Sequence, residues 1–418
     1  MSQQTAKAGR GPVVLSMGMG IDSAAILARW LTDPASRDFA LEDLVVITAM
    51  VGSEYRATER LMTTYLLPLM RAHGVRYVQV ARQPRAPGTR RVVPGYVVLD
   101  DSRAPRRMVM RGPIALVDEL WTTGTVPQTA RHARRCSLKW KAEPLDAWIA
   151  CNVAGDFRHV IGFAADELDR VAKDRSFSTD RRRTSEFPLV SWDWDRARCA
   201  TWLQDLFGEP WSRSCCGFCP FQAGPEADLM FQRWTQEPAL AVETLLLETT
   251  ALALNPRSTL FGTRSSARQR STERGLPAAQ LTEEHLASAT WACYEVRRIK
   301  GPSRSNPATI TADRSVRTVA LGTRAEVERG IAALAGERQL RLEVDEYGYL
   351  RAWARERGVQ YPLVEQFWVS APAGVADKQP KGFEDRWADA VGAPRPLPDS
   401  GQLALPLAVT APRVTPAD

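Results

Sequence analysis

Two short segments of the chain carry residue types that do chemistry. In the first, Ser16-Met17-Gly18-Met19-Gly20-Ile21-Asp22-Ser23, small residues separate the apolar run at 13–16 from an amphipathic stretch at 22–31. A strand that feeds a helix through such a turn presents backbone N–H groups and the helix dipole to an anion, so a phosphate is the expected ligand. The segment lacks the Gly-Lys-Ser/Thr ending of a Walker loop, and its glycine spacing is not that of a dinucleotide fingerprint. In the second, Cys215-Cys216-Gly217-Phe218-Cys219-Pro220, three thiols fall within five residues, and Gly217 permits the turn that several metal–sulfur bonds require. Cys136 is the natural distant partner. Three assignments stay open for these thiols: an iron–sulfur cluster, a tetrahedral zinc, or a Cys216/Cys219 redox pair. Cys151, Cys199 and Cys293 sit in apolar or helical contexts and are expected to be packing residues. His73, His132, His159 and His285 show no metal-ligand spacing, and only His132 is close to a site motif.

The elements that must position these segments alternate between strand and helix in the first half, which predicts an α/β fold with a parallel sheet and flanking helices. The candidate strands are 13–16 (VVLS), 44–50 (LVVITAM), 75–80 (VRYVQV) and 159–163 (HVIGF). Between the first two, Ile26, Leu27, Trp30 and Leu31 share a helical face, and Pro34 closes the segment. A second helix is expected over 57–72, kinked by Pro68. Residues 82–112, rich in Arg and Pro, read as a long loop or insertion. From 226 to about 298 the pattern is mostly helical, with Thr282 starting its last helix, and a Ser/Arg/Pro linker follows at 301–307. Beyond it, SVRTVALG feeds a helix capped by Thr323 and Glu326, and LRLEVDEYGYLRAW reads as a hairpin turning near Tyr347 and Gly348. The expected organisation is a nucleotide-binding domain at 1–205, a cysteine and helical region at 206–300, a small α+β module at 301–393 and a disordered tail at 394–418.

The loop resembles the signature Ser-Gly-Gly-x-Asp-Ser of the PP-loop ATP pyrophosphatases, in the form found in phosphoadenylyl-sulfate reductase-like proteins. Gly20, Asp22 and Ser23 match; Gly18 stands where the signature serine is usual, Met19 where a glycine is usual, and Ser16 lies just upstream. Further segments resemble the same family in the same order. Gly52-Ser53-Glu54 is similar to its acidic turn, and Cys136, Lys139, Lys141 and Pro144 to the Cys-x-x-x-Lys-x-x-Pro segment of sulfonucleotide reductases and of the DNA phosphorothioation sulfurtransferase. Gly162, Glu167 and Arg170 resemble its Gly-x-x-x-x-Glu-x-x-Arg motif, with Asp166 beside them, and Phe187-Pro188-Leu189-Val190-Ser191-Trp192 its Tyr-Pro-Leu-x-x-Trp turn. The resemblance implies an adenine nucleotide alpha hydrolase-like fold that binds ATP and magnesium. Ser16, Gly18, Gly20, Asp22, Ser23, Glu54, Gly162 and Glu167 would line the nucleotide, and Asp22, Lys139, Lys141 and Arg170 would act in catalysis. It also implies a cluster held by three or all four of Cys136, Cys215, Cys216 and Cys219, three leaving one iron open to sulfide or substrate.

With a formal charge of +7, the chain favours anionic partners. Arg297, Arg298, Lys300, Arg304 and Arg317 in the second half fit a nucleic-acid substrate, whereas 181–183 reads as a solvated loop. No stretch reaches the apolar length of a membrane span and the N-terminal residues lack a signal-peptide core, so a cytoplasmic location is expected. Together these readings predict an ATP-dependent, pyrophosphate-releasing sulfurtransferase or nucleic-acid-modifying enzyme, served by a sulfur-donor protein. A sulfonucleotide reductase is the alternative, although no cysteine follows Cys293 to make the attack those enzymes use. A non-catalytic nucleotide-sensing subunit of a modification or defence complex is the other.

Overall fold

Val13–Ser16 is apolar except at its last residue, and it becomes the buried centre of a six-stranded sheet. The computed structural model describes residues 11–84, 95–127, 135–177, 180–222, 227–262, 265–303 and 306–392. The expected tail at 394–418 and His132 and Arg304 lie outside them. The chain divides into two compact units, Met1–Glu119 with Pro127–Cys219, and Leu120–Val126 with Pro220–Asp418. Among the described residues, no helix is long and apolar enough to cross a membrane.

The first unit is α/β. Its strands are β1 (Val13–Ser16), β2 (Leu44–Met50), β3 (Arg76–Arg82), β4 (Tyr96–Ser102), β5 (Phe157–Ile161) and β6 (Arg183–Glu186), in the order β4-β3-β2-β1-β5-β6. All neighbours run parallel except β3 and β4. The sheet is therefore mixed, and the expected long loop at 82–112 contains the antiparallel edge strand. None of its residues is fully buried, and it ends in Asp100, Asp101 and Ser102, which suits an edge that meets solvent. The solvated loop expected at 181–183 also ends in a strand, because Arg183 opens β6 and bonds Asp174 at 2.7 Å.

Val13 and Leu15 face one layer of helices, where they pack with Ala24, Leu27, Leu31 and Leu203; Val14 faces the other, with Trp148 and Ile149. The expected helix at 57–72 is split by a π turn at Met62–Leu66, just before Pro68. Proline brings no N–H to the carbonyl four residues earlier, and widening the preceding turn absorbs the missing bond.

The second unit has the antiparallel sheet β8-β7-β11-β10-β9, built from β7 (Trp291–Pro302), β8 (Ile310–Gly322), β9 (Arg341–Val344), β10 (Leu350–Arg355) and β11 (Leu363–Pro372). The expected helical run holds as far as Ser288, but its end at 291–298 and the start of the linker at 301–302 are corrected: β7 occupies them, and residue 300 falls inside it. Its Trp291 and Cys293 pack on Val327 and Ile331 of the helix Arg324–Arg338, while Ala292, Tyr294 and Val296 meet Leu252 and Leu254 on the opposite face. Such alternation belongs to a strand covered on both sides. Thr282 does not start a helix either. The helix begins at Pro277, and the Thr282 hydroxyl donates to the Ala278 carbonyl at 2.6 Å. Thr323 and Glu326 do form a capping box, and β9 and β10 are the two arms of a hairpin turning through Asp345 and Gly348.

Candidate functional site

Strand order reverses direction at β1, whose chain continues to β2 on one side while β5 lies on the other. In sheets of this kind, ligands bind beyond the carboxyl ends of the strands at such a reversal. The loop at 16–23 and the residues after β5 both emerge there. The helix Ile21–Thr32 starts at Gly20 without any side-chain cap, which leaves its first N–H groups to a ligand or to water. Ser23 does not face outward: its hydroxyl accepts the Gly18 N–H at 3.1 Å and donates to the Gly20 carbonyl at 3.4 Å, tying the turn to the helix. Met19 has a left-handed backbone, φ 61°, a conformation that favours glycine, at a cost of roughly 1–2 kcal/mol. Burial and a hydrogen bond from Trp211 Nε1 to its carbonyl, 3.1 Å, hold it there.

Gly162, one residue past β5, lies against the same helix start. A Cβ there would stand 2.9 Å from the Ser23 nitrogen and 3.2 Å from its Cα, so only glycine allows this approach. Beyond it Glu167 accepts the Ala164 N–H at 3.2 Å and Arg170 Nη1 at 2.6 Å. Burial opposes the Glu167 carboxylate, but Arg170, that N–H and Arg196 outweigh it and hold its carboxyl below the ordinary value. Arg196 then joins the two motifs. It reaches Asp22 through Nη2 at 2.9 Å and Nε at 3.2 Å, and Glu167 at 3.3 Å. The hydrogen bond to Asp22 is the main reason that its guanidinium is held still more firmly charged. Arg170 itself stacks over Phe163, 4.3 Å from the ring centre.

Glu54 and the cysteine segment meet on the other side of the loop. Residues 54 and 216 form an isolated antiparallel bridge, and the Gly217 N–H donates to the Ser53 carbonyl at 3.0 Å. The Glu54 side chain, 1% exposed, accepts Lys141 Nζ at 2.9 Å and the Ser214 hydroxyl at 2.9 Å. Ser214 also abuts the loop, since a Cβ on Gly20 would lie 3.5 Å from its nitrogen. Trp211 and Ser214 thus seat the segment leading to Cys215, Cys216 and Cys219 directly on the loop at 16–23. Burial opposes the Lys141 ammonium, yet Glu54 and then Cys216 outweigh it and raise its pKa. Burial, followed by Glu54, drives the Cys216 thiol well above its usual value against the pull of Lys141. Lys139 is turned to a different carboxylate, Glu119, at 2.5 Å. The two lysines expected to work together are therefore held by separate partners, as residues two apart on a helix do not share a face.

Cys136 lies in the helical turn Arg135–Ser137 that leads into the segment carrying Lys141. The Cys219 N–H closes a turn on the Cys216 carbonyl at 3.0 Å. Among the described residues, no group of three or more His, Cys, Asp or Glu side chains is gathered as a metal site. Cys199 and Cys293 are buried as expected, but Cys151 is exposed.

Three contributors escape a reading of the sequence. His159 is buried on β5 and bonds Ser16 at 2.7 Å; Trp211 and Ser214 carry no motif. Arg196 does leave a signal: Asp195 caps the helix Arg196–Phe207 and so places a cation in its first turn, where the dipole disfavours it unless carboxylates hold it. No protein-family model matches the chain, and no curated protein or solved structure matches it.

Proposed function

We propose that the first unit is a PP-loop ATP pyrophosphatase of adenine nucleotide alpha hydrolase-like fold, working as an ATP-dependent sulfurtransferase on a nucleic acid. The substrate is ATP with its magnesium counter-ion. Its phosphates would meet the uncapped helix start after Gly20, where backbone N–H groups and the helix dipole stabilise anionic oxygen. An acceptor oxygen attacks the α phosphorus, the bond to the β-phosphate oxygen breaks, and pyrophosphate leaves. A sulfur nucleophile then attacks the activated carbon and AMP departs with the acceptor oxygen. Lys141 stands nearest the thiols and would offset charge between the two halves of the site; Lys139, paired with Glu119, contributes less.

The observation that carries this reading is the contact of the Trp211–Ser214 segment with Met19 and Gly20, which sets a thiol-rich turn beside a phosphate loop. Soft thiolates at Cys136, Cys215, Cys216 and Cys219 suit an iron–sulfur cluster by donor chemistry, with zinc as the alternative. When bound, a cluster would supply sulfide binding or electrons. Among the described residues no group of three or more His, Cys, Asp or Glu is gathered as a metal site, and no step above is routed through a cluster. The test is anaerobic purification with iron, zinc and acid-labile sulfide analysis, followed by a pyrophosphate-release assay with and without nucleic acid. ATP-dependent pyrophosphate release supports the reading. Its absence under all conditions leaves a nucleotide-sensing role.

A further inference from the structure

The basic residues of the second unit divide sharply by face. Arg297 bonds Glu384 at 2.5 and 2.9 Å and lies over the Phe383 ring, and Arg317 bonds Glu295 at 2.6 Å. Each has its own carboxylate. On the other face of β7, Ala292, Tyr294 and Val296 are covered by the end of the helix Pro238–Leu254. Arg298 continues that row just beyond the helix, and Lys300 follows two residues later on the same side.

Arg298 stands directly opposite Arg314 on β8 and Glu365 on β11. Like charges opposite one another on neighbouring strands destabilise a sheet. Arg257, in the turn after the helix, reaches the same Glu365 at 2.5 and 2.9 Å, and Arg298 reaches it at 2.6 Å. Among the described residues, Arg314 has no carboxylate partner. Its guanidinium donates to the carbonyls of Thr123 and Gly124. One carboxylate therefore bonds two of these three guanidinium groups, and the third has none. Burial pushes Arg314 down to about 10 with nothing to compensate it. Burial lowers Arg298 equally, to about 10; Arg257, Arg314 and Arg357 add repulsion, and Glu365 offsets only part. The cluster is not sealed, since the side chain of Arg257 is 44% exposed and that of Arg298 20%.

We propose that Arg257, Arg298 and Arg314 form a binding site for a phosphate group, with Lys300 at its edge. Planar guanidinium forks match phosphate oxygens in pairs, and a phosphate supplies the negative charge that Glu365 alone does not. The same chemistry serves a free phosphate or one link of a nucleic-acid backbone. The site lies wholly within the second unit and does not rest on the ATP reading, so failure of pyrophosphate release would leave it intact.

The test uses the full chain, Arg257→Gln and Arg298→Gln. Melting temperature is followed against inorganic phosphate at ionic strength fixed with sodium chloride, and binding of labelled single- and double-stranded oligonucleotides by anisotropy. Wild type should be stabilised by phosphate, or bind an oligonucleotide, and each variant should bind about tenfold more weakly. Response to phosphate alone assigns a free anion; response to oligonucleotides assigns a backbone. The proposal is overturned if neither probe acts on wild type, or if both variants respond as wild type does. A purely bracing role would instead lower the melting temperature of Arg298→Gln by the same amount with and without phosphate. The more exposed Arg257→Gln keeps the test valid if Arg298→Gln does not fold.

Discussion

Ser16 Oγ and His159 Nε2 lie 2.7 Å apart at the carboxyl end of the central strands, and His159 Nδ1 is buried without a hydrogen-bond partner. An orphaned N–H inside a protein is rarer and costlier than an unused acceptor lone pair. The favoured tautomer therefore carries its proton on Nε2 and donates to Ser16, leaving the serine hydrogen for another acceptor. Nitrogen chemical shifts in labelled protein should report the Nε2–H form; an Nδ1–H form would reverse the direction of the bond.

The same histidine gives a pH prediction. Burial, with Arg183 adding to it, pushes its pKa from 6.5 down to about 3. In the unfolded chain the ring takes up a proton near its ordinary value, so between about 6.5 and 3 the unfolded state binds more protons than the folded one. Stability from the neutral ring is complete above that window and falls as pH drops through it. Chemical denaturation of wild type at pH 7, 5 and 4 should show this loss. His159→Gln should flatten that part of the profile, and an unchanged slope would mean that other groups dominate.

Gly162→Ala should weaken nucleotide binding and stability together. The added carbon would sit 2.9 Å from the Ser23 nitrogen, so either the strand end or the helix start has to move. Overpacking of this kind costs roughly 1–3 kcal/mol. Urea denaturation and ATP titration of the variant measure both effects. Full retention of both would show that the two backbones are free to separate.

The contrast between what was and was not legible in the chain has physical causes. β1 and β2 are nearly continuous apolar runs, β3 carries Tyr77, Val78, Val80 and Ala81 between its end arginines, and the loop after β1 has its small residues in one contiguous stretch, so their setting could be read directly. β4 was hidden by Arg- and Pro-rich flanks. β7 was hidden by the helical pattern before it and by Arg297, Arg298 and Lys300, which look like a solvated helix end until the pairing of Arg298 with Glu365 is seen. The partners that complete the site come from far along the chain. His159 is 143 residues from Ser16, Arg196 174 from Asp22 and Trp211 192 from Met19. No local periodicity encodes a contact over such distances.

Glu54→Gln removes the charge that opposes Lys141 and also weakens the acceptor of the Ser214 hydroxyl. Breaking a fully buried ion pair costs about 3–5 kcal/mol, but Lys141 is 31% exposed, so a loss on the order of 2 kcal/mol is expected after allowing for solvent. A double-mutant cycle with Lys141→Met should recover part of it. If the pair anchors the cysteine segment, Glu54→Gln should also speed alkylation of Cys216, which is followed by mass spectrometry. Unchanged labelling together with lost stability would confine the pair to a bracing role.

Arg196 offers the sharpest test of the proposed phosphate site, because its charge is spent on Asp22 and Glu167 beside the helix start. Arg196→Gln takes the cation from Asp22 and leaves Glu167 to Arg170 alone where an anionic ligand is expected, and ATP affinity should fall by about tenfold or more, most strongly at low salt. Asp22→Asn alone should disturb binding less, since it removes negative charge while leaving Arg196 with Glu167. The double variant then separates two roles. If Arg196 acts by neutralising Asp22, Asp22→Asn added to Arg196→Gln restores much of the affinity, with a coupling of roughly 1–3 kcal/mol. If Arg196 touches the phosphates itself, the double variant binds no better than Arg196→Gln. Isothermal titration at two ionic strengths, with melting temperatures as the control for folding, distinguishes these outcomes. Equal ATP affinity in all four proteins would place the nucleotide elsewhere.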